Sequence, residues 1–237
     1  MNILRTIPWL VFIISIPLLL ISSTVFLEMN YLPFYEYAYQ KYHISEVTEF
    51  SDEQLMGITR HLVQFFNDKI ASPQLMLENQ GKPMYLFHDY EIRHLQDVKM
   101  LFRYSFYVAL VMLVYGVGYL LFTRMSGGKK RWNYFWRGVR NGNILTLVLL
   151  ISLGIAIIVA FHNIFIKFHY LVFGDPQSSP WMLNPLTDYL VMIYPLSFWQ
   201  DAIIFGIGVI AVVALLMSFI SIIGVNRTAG RGRYWVG

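Results

Sequence analysis

Four long apolar blocks dominate the pattern of hydrophobic and polar positions along the chain, and none contains Lys, Arg, Asp or Glu. A bilayer core about 30 Å thick requires about 20 apolar residues in a helix. The pattern therefore predicts an all-α integral membrane protein with four transmembrane helices and a mainly helical extracytoplasmic cap. The expected segments are an uncleaved signal-anchor helix (1–27), the cap (28–103), transmembrane helices at 104–122, 144–161 and 202–223, a basic cytoplasmic loop (123–143), an extracytoplasmic loop (162–201) and a cytoplasmic tail (224–237).

The composition supports this class and excludes several others. Of the 237 residues, 57% are hydrophobic and only 14% are charged, whereas about a quarter of the residues of soluble domains are charged. The chain contains no cysteine, so it has neither a disulfide framework nor a cysteine nucleophile. A soluble enzyme, a disordered tail and a disulfide-stabilised scaffold are therefore all excluded.

The distribution of charge predicts how the chain is oriented in the cell membrane. Ten Lys and Arg residues share one side of the predicted topology with no acid, and all 14 acids fall on the other side. Because cationic segments stay in the cytoplasm, both termini are expected there. Aromatic residues are interleaved with the cations of the basic loop, a pattern typical of anchoring on anionic lipid. We therefore expect membrane lipids as partners and no nucleic acid.

Two further helices are predicted outside the membrane. Ser51 and Gln54 form a capping box, and apolar residues follow at helical spacing until about Asp68. In the second extracytoplasmic segment, 187–193 is predicted as a short helix that ends before Pro195. The pattern at 70–87 leaves strand and extended backbone equally open.

The segment before the second span carries the densest set of groups capable of proton transfer. Glu91, His94 and Asp97 lie at helical spacing, which predicts that His94 lies between two carboxylates. A carboxylate beside an imidazole fixes its tautomer and increases its basicity, as a general base requires. The alternative is a solvated helix end with ordinary ion pairs.

Two further histidines follow the third span. His162 lies at the outer boundary of the apolar block, where an ionisable group is costly unless it has a partner or a function. The alternative for His162 is an ordinary interfacial side chain. His169 lies farther out and is interpreted as surface.

The signatures of several enzyme classes are missing. The sequence has no Gly-x-Ser-x-Gly elbow, no His-Glu-x-x-His zinc motif and no P-loop. Two alternatives remain beside proton-transfer chemistry on a lipid-embedded substrate. One is a non-enzymatic membrane sensor or assembly protein. The other is a metal-dependent lipid hydrolase that uses His88, His94, His162 and the acids, and it predicts bound metal and sensitivity to chelators.

Two motif blocks resemble one family of bacterial membrane enzymes. The first is Glu91-x-x-His94-Leu95-x-Asp97-Val98-Lys99. The second runs from Phe161-His162-x-x-Phe165 to Trp181, Asp188, Tyr194-Pro195 and Phe198-Trp199-x-Asp201. Together they resemble the signatures of the lipoprotein intramolecular transacylases of Gram-positive bacteria.

The resemblance implies a reaction and its participants. The sn-2 acyl chain of a diacylglyceryl-cysteine lipoprotein would move to the α-amine of the same cysteine, giving a lyso-form lipoprotein. We expect such lipoproteins as substrates, a monomer, and neither a cofactor nor a metal ion. His162 and His94 are expected to be catalytic. The residues expected to bind or orient the substrate are Glu91, Asp97, His88, Asp188, Trp199 and Asp201.

Overall fold

The computed structural model describes residues 3–79, 82–125, 128–177 and 179–229. It contains eight helices and two strands within these ranges. In chain order they are α1 (Ile3–Met29), α2 (Leu32–Lys41), α3 (Ile44–Thr48), α4 (Asp52–Phe66), β1 (Met76–Asn79), β2 (Lys82–Tyr85), α5 (Asp89–Met125), α6 (Lys129–Phe173), α7 (Tyr189–Ile193) and α8 (Leu196–Ala229).

Four of the helices (α1, α5, α6 and α8) are long and apolar enough to cross a membrane. This confirms the fold class predicted from the sequence. The helices continue beyond the apolar blocks, because polar residues outside a bilayer need not end a helix. As a result, 129–143, which is most of the segment predicted as a basic loop, is the first part of α6. Helix α6 also contains a kink at Ala160 (φ −144°, ψ 35°).

Contacts among the described residues divide the chain into two compact units. The first unit comes from Met1–Thr24, Ser105–Ile155 and Gly206–Gly237. The second comes from Val25–Tyr104 and Ala156–Phe205. Each of the four long helices therefore contributes one part to each unit.

In the first unit, α1 and α6 approach closely at two glycines one helical turn apart. A Cβ atom at Gly138 would lie 2.8 Å from Phe12, and one at Gly142 would lie 2.5 Å from Ile16 and 3.0 Å from the Ile13 carbonyl oxygen. Small residues at this spacing let membrane helices pack backbone against backbone. Pro17 has no N–H to donate to that carbonyl, which leaves the oxygen available for a weak Cα–H···O contact with Gly142.

We expect Gly142→Ala to lower the stability of the first unit by about 1–3 kcal/mol, because the added methyl group overpacks the contact with α1. Thermal unfolding in detergent measures this change as a lower Tm. Gly154→Ala is the matched control, since it lies on the same helix and nothing lies within 4 Å of its Cβ position. An equal Tm for the two variants would show that the contact between α1 and α6 is loose.

The second unit has a hydrophobic core built from short helices and aromatic residues. The predicted capping box is present at the start of α4: Ser51 Oγ accepts the Gln54 N–H and the Gln54 side chain accepts the Ser51 N–H. The predicted apolar stripe of α4 is buried in this core, and its members are Leu55, Ile58, Leu62 and Phe65. The predicted short helix is also confirmed as α7, which ends at Ile193.

The segment that the sequence left undecided forms a small antiparallel hairpin. Strands β1 and β2 pair with Met76 opposite Tyr85 and Leu77 opposite Met84. The Leu86 N–H then donates to the Leu75 carbonyl oxygen at 2.9 Å. The hairpin therefore leads directly into the start of α5, which carries His94.

Candidate active site

Two histidines from distant parts of the chain meet in the second unit. The ring centroids of His94 on α5 and His169 on α6 are 6.0 Å apart, with an angle of 33° between the ring planes. Each side chain is only 7% exposed. The interpretation of His169 as a surface residue is therefore wrong, since this imidazole lies next to the histidine that the sequence analysis predicted to be catalytic.

Aromatic rings surround this pair. His169 lies 4.1 Å from Phe165 and 5.2 Å from Trp181 between ring centroids. Phe173 lies 5.2 Å from His94 and 5.4 Å from His169. Rings packed in this way exclude water from the imidazoles, which strengthens electrostatic interactions at the site.

The turn after α6 carries Trp181 back over His169. Gly174 follows the last residue of α6 with φ +78°, a left-handed conformation that glycine adopts without strain. Its carbonyl oxygen accepts the Trp181 Nε1–H at 3.0 Å. This glycine therefore both ends the helix and fixes the ring that covers His169.

A backbone contact determines the tautomer of His169. Its Nδ1 lies 2.7 Å from the carbonyl oxygen of Phe165, one turn earlier on α6. A carbonyl oxygen only accepts hydrogen bonds, so Nδ1 carries the proton and donates it. In the neutral ring Nε2 then has the free lone pair, as a general base requires.

His94 contributes a buried nitrogen that no other group satisfies. Its Nδ1 is buried and has no hydrogen-bond partner among the described residues. Buried polar atoms are nearly always paired in native proteins, so an unpaired one indicates a bound group or a chemical role. Two cationic imidazoles this close would also repel each other. The two imidazoles therefore favour a state with at most one positive charge, and such a pair can take up one proton and release it again.

Asp97 lies one turn after His94 and holds the same loop. Its Oδ2 accepts the Ser179 hydroxyl at 2.9 Å, two residues before Trp181. This hydrogen bond fixes the Asp97 carboxylate to the loop that carries Trp181.

Glu91 is placed differently from the sequence expectation. It is fully buried, and its Oε1 accepts the backbone N–H of Leu190 at 2.9 Å. Its Oε2 accepts both the N–H and the Nδ1–H of His88, each at 2.8 Å. The expectation that Glu91 flanks His94 is wrong, because both oxygens face His88 and the start of α7.

Asp188 extends this network. Its Oδ1 accepts the Tyr90 hydroxyl at 2.6 Å and the Thr187 hydroxyl at 2.8 Å, and its Oδ2 accepts the Asn184 N–H at 2.7 Å. Burial raises the pKa of Asp188, but these hydrogen bonds outweigh burial and hold the pKa below its usual range. The carboxylate therefore remains charged and anchors the loop before α7 to the start of α5.

His88, Glu91 and Asp188 are also the residues best placed to hold a metal ion in the described part of the chain. Their donor atoms lie within 4.8 Å of one another. However, every carboxylate oxygen in the set already accepts a hydrogen bond from the protein. The three side chains are thus satisfied as a structural network that connects α5 with α7.

The two remaining predicted binding residues lie in another part of the second unit. Asp201 accepts hydrogen bonds from Lys41 at 2.5 Å and from the Tyr42 hydroxyl at 2.6 Å. Trp199 is half-buried and its ring packs edge-on against Phe198. The Asp201 contacts join α8 to the end of α2, and Trp199 packs against the hydrophobic core of the second unit.

His162 is exposed, and among the described residues it makes no hydrogen bond, ion pair or ring contact. It precedes His169 by seven residues, which is about 10 Å along the helix. Trp181 and Phe173 therefore cover His169 but do not reach His162. The structure brings His94 together with His169, and not with His162, the other residue expected to be catalytic.

One sequence signal for the missed residue exists. Phe165, Phe168, Tyr170 and Phe173 surround His169 in the sequence, and aromatic side chains of this density favour packing around a neighbouring ring. Ser179 had no comparable signal, because its contact with Asp97 joins positions 82 residues apart.

The chain matches one family by sequence. The model of the family described as lipoprotein intramolecular transacylase Lit matches residues 10–199. An uncharacterised protein from Aquifex aeolicus (strain VF5) is 30% identical over 149 residues, which cover 62% of this chain. The match spans 61% of the length of that relative.

The fold matches solved structures of one membrane protein. The in meso structure of the lipoprotein intramolecular transacylase Lit from Bacillus cereus superposes with a TM-score of 0.77 at 17% identity, covering 94% of this chain and 97% of that one. A variant of it in which a histidine is replaced by arginine gives a TM-score of 0.74 at 16% identity, covering 96% and 95% of the two chains. At this level of identity the likeness supports the fold.

Proposed function

Because the chain belongs to the lipoprotein intramolecular transacylase family, a family of acyltransferases, we propose that it converts diacylglyceryl-cysteine lipoproteins to the lyso form. The sn-2 acyl chain moves from glycerol to the α-amine of the lipoprotein's own cysteine. The buried contact between His94 and His169 is the observation that carries this proposal. This contact places a basic nitrogen, His169 Nε2, and an unpaired nitrogen, His94 Nδ1, in one site that excludes water.

The reaction requires one proton to move from nitrogen to oxygen. The amine nitrogen forms a C–N bond with the acyl carbon, the C–O bond of the sn-2 ester breaks, and the glycerol oxygen takes up a proton. His169 Nε2 accepts the proton from the amine and returns it to the glycerol oxygen, so the enzyme ends unchanged. Amine and ester belong to the same substrate, so the attack is intramolecular and needs no acyl-enzyme.

His94 and Asp97 hold the amine in place. The unpaired Nδ1 of His94 binds the amine while the carboxylate of Asp97 attracts its positive charge. A nucleophile held in the attacking geometry gains rate without any further chemistry from the enzyme. His162 serves at most as an interfacial side chain in this scheme, which revises the role expected from the sequence.

The distribution of charge supports an orientation for this chemistry. Cations without acids fall on the side of both termini, and all acids fall on the side of His94 and His169. By the positive-inside rule the termini are cytoplasmic and the histidines face the extracytoplasmic leaflet of the cell membrane. Lipoproteins reach that leaflet with their lipids embedded, so a monomer surrounded by membrane lipids meets its substrate directly.

Purified protein in lipid nanodiscs, given a synthetic diacylglyceryl-cysteine peptide, is expected to form an amide and lose an ester at unchanged mass. Tandem mass spectrometry measures both changes. A hydrolase would instead release free fatty acid, and a sensor would leave the peptide intact. The Glu91 and Asp188 oxygens are satisfied by the protein, so we expect the same yield with a chelator present.

A further inference from the structure

Trp181 is the buried ring that packs on His169. It is only 5% exposed, and its ring centroid lies 5.2 Å from that of His169. The phenyl rings that also contact His169 are half-buried or exposed, and they belong to Phe165, Phe168 and Phe173. The indole is therefore the member of this set that is best shielded from solvent.

Several contacts fix the orientation of the Trp181 ring. Its Nε1–H donates to the Gly174 carbonyl oxygen at 3.0 Å, and its ring packs edge-on against Tyr170 with 4.9 Å between centroids. Its backbone N–H donates to the Ser179 carbonyl oxygen at 2.9 Å, and its own carbonyl oxygen accepts the Leu183 N–H at 3.1 Å. Side chain and backbone are thus both held, so the indole stays beside the imidazole.

The loop that carries Trp181 is also attached to the helix of the other histidine. Ser179 Oγ donates to Asp97 Oδ2 at 2.9 Å, a bond between positions 82 residues apart. Asp97 follows His94 by one turn of α5. The loop is therefore joined to α6 through Gly174 and to α5 through Ser179, which keeps Trp181 over the histidine pair.

A base at this position creates a choice between two acyl acceptors. A base that takes a proton from an amine also takes one from water. In that second reaction the water oxygen forms a bond with the acyl carbon and the C–O bond of the sn-2 ester breaks. The proton passes through His169 to the glycerol oxygen. The products are a free fatty acid and a deacylated lipoprotein, so water at the base would turn a transferase into a hydrolase.

We infer that Trp181 selects the amine over water as the acyl acceptor, by filling the space in which water would otherwise lie beside His169. This inference rests on the proposed function. An internal water needs room and two to four polar partners. The indole occupies the room with carbon atoms, and its one polar hydrogen is already donated to Gly174. The 7% of His169 that is exposed is left to the substrate.

The end of α6 offers apolar contact to a lipid substrate beside the same base. Phe168 packs edge-on against His169 and is itself exposed, and Leu171 and Val172 are exposed as well. Apolar surface of this kind suits the acyl chains of a lipid. Trp181 therefore excludes water while lipid-compatible surface remains next to the histidine.

Trp181→Ala tests the inference with a substrate that has no free amine. An N-acetylated diacylglyceryl-cysteine peptide has no amine to accept the acyl chain, so any cleavage of its sn-2 ester is hydrolysis. The unsubstituted protein in nanodiscs is expected to release little free fatty acid. Trp181→Ala is expected to release at least ~10-fold more, because water enters the space left beside the base. Mass spectrometry of the fatty acid measures the rate.

Two further variants separate water exclusion from a general loosening of the unit. Phe50→Ala removes a ring that is 2% exposed from the core of the same unit, where it packs against Tyr189. It is expected to release no more fatty acid than the unsubstituted protein. Trp181→Phe restores an apolar ring and is expected to suppress most of the hydrolysis. Equal hydrolysis by Phe50→Ala and Trp181→Ala would overturn the inference.

Ser179→Ala is a milder change that leaves the indole in place and removes only the bond to Asp97. We expect severalfold more fatty acid from the N-acetylated peptide, because the loop then holds Trp181 less firmly. Thr187→Ala is the matched control, since it removes a similar hydroxyl–carboxylate bond of 2.8 Å to Asp188. If Trp181→Ala does not fold, this pair decides, and equal release by the two variants contradicts the inference.

The new hydrolysis must also depend on the same base. Trp181→Ala/His169→Asn is expected to lose it, and hydrolysis that persists there would show that water acts elsewhere. The proposed function fails separately, if the unsubstituted protein forms no amide from the peptide with a free amine. If it forms the amide and Trp181→Ala hydrolyses no faster than it does, the enzyme is a transacylase in which Trp181 does not select the acceptor.

Discussion

Replacing His169 by Asn is expected to lower the rate of lyso-lipoprotein formation by at least ~100-fold, because general acid–base catalysis contributes about 10²- to 10⁴-fold. Asn retains an amide N–H that can donate to the Phe165 carbonyl, which His169 contacts at 2.7 Å. It lacks the basic Nε2. Asn is close to His in polarity and hydrogen-bonding capacity, so the loss of activity reports mainly the missing base. Mass spectrometry of a reconstituted reaction measures the rate.

His162→Asn is the matched control on the same helix. His162 is exposed, so we expect the rate to change by less than about twofold, within the usual range for surface substitutions. The reverse result, a large loss at His162 and little at His169, would restore the role predicted from the sequence and refute the assignment from the structure. Equal Tm values for the two variants exclude unfolding as the cause.

The pair should also behave as a unit. If His94 holds the amine for His169, the double variant His94→Asn/His169→Asn loses little more activity than His169→Asn alone, since residues that act together are strongly non-additive. If the fold-reduction in rate of the double variant equals the product of the two single-variant reductions, the two histidines act in separate steps. The contact between the rings at 6.0 Å favours the first result.

Local patterns predicted much of the fold. Charge-free apolar blocks determine the four spans, and the capping box at Ser51 and Gln54 determines the start of α4. Both depend on residues that are neighbours in sequence, so their spacing is sufficient to recognise them. Local spacing also selects His94 as a candidate site residue, because Asp97 lies one turn away.

The pairing of His94 with His169 results from contacts between residues distant in sequence, which no local pattern predicts. His169 is buried because Trp181 returns over it after a glycine turn with φ +78° at Gly174. His162 occupies nearly the same helical face and is exposed, because no ring from the loop reaches two turns back. The seven-residue spacing places both histidines on one helical face, and only the path of the loop shows which of them is buried.

The contacts of Glu91 were likewise not predictable from local spacing, and they lead to the second prediction with a large expected effect. Glu91→Ala is expected to lower the free energy of unfolding of the second unit by about 3 kcal/mol, because it leaves buried donors without acceptors. The donors are the N–H groups of Leu190 and His88. Thermal or urea unfolding in detergent measures the loss, and activity is expected to fall with it as His94 loses its fixed position.

The chain offers a matched control in another Glu–His pair at the same spacing. Glu46 lies 3.3 Å from His43, three residues earlier, and both side chains are more than 70% exposed. An exposed pair contributes about 0–1 kcal/mol, so Glu46→Ala should leave the Tm nearly unchanged. Glu91→Gln keeps one carbonyl oxygen for the Leu190 N–H and should recover part of the stability. If Glu91→Gln is as unstable as Glu91→Ala, the charge of Glu91 rather than its acceptor geometry holds α5 against α7, and the stability of the unit then depends on the charge-assisted bond to His88.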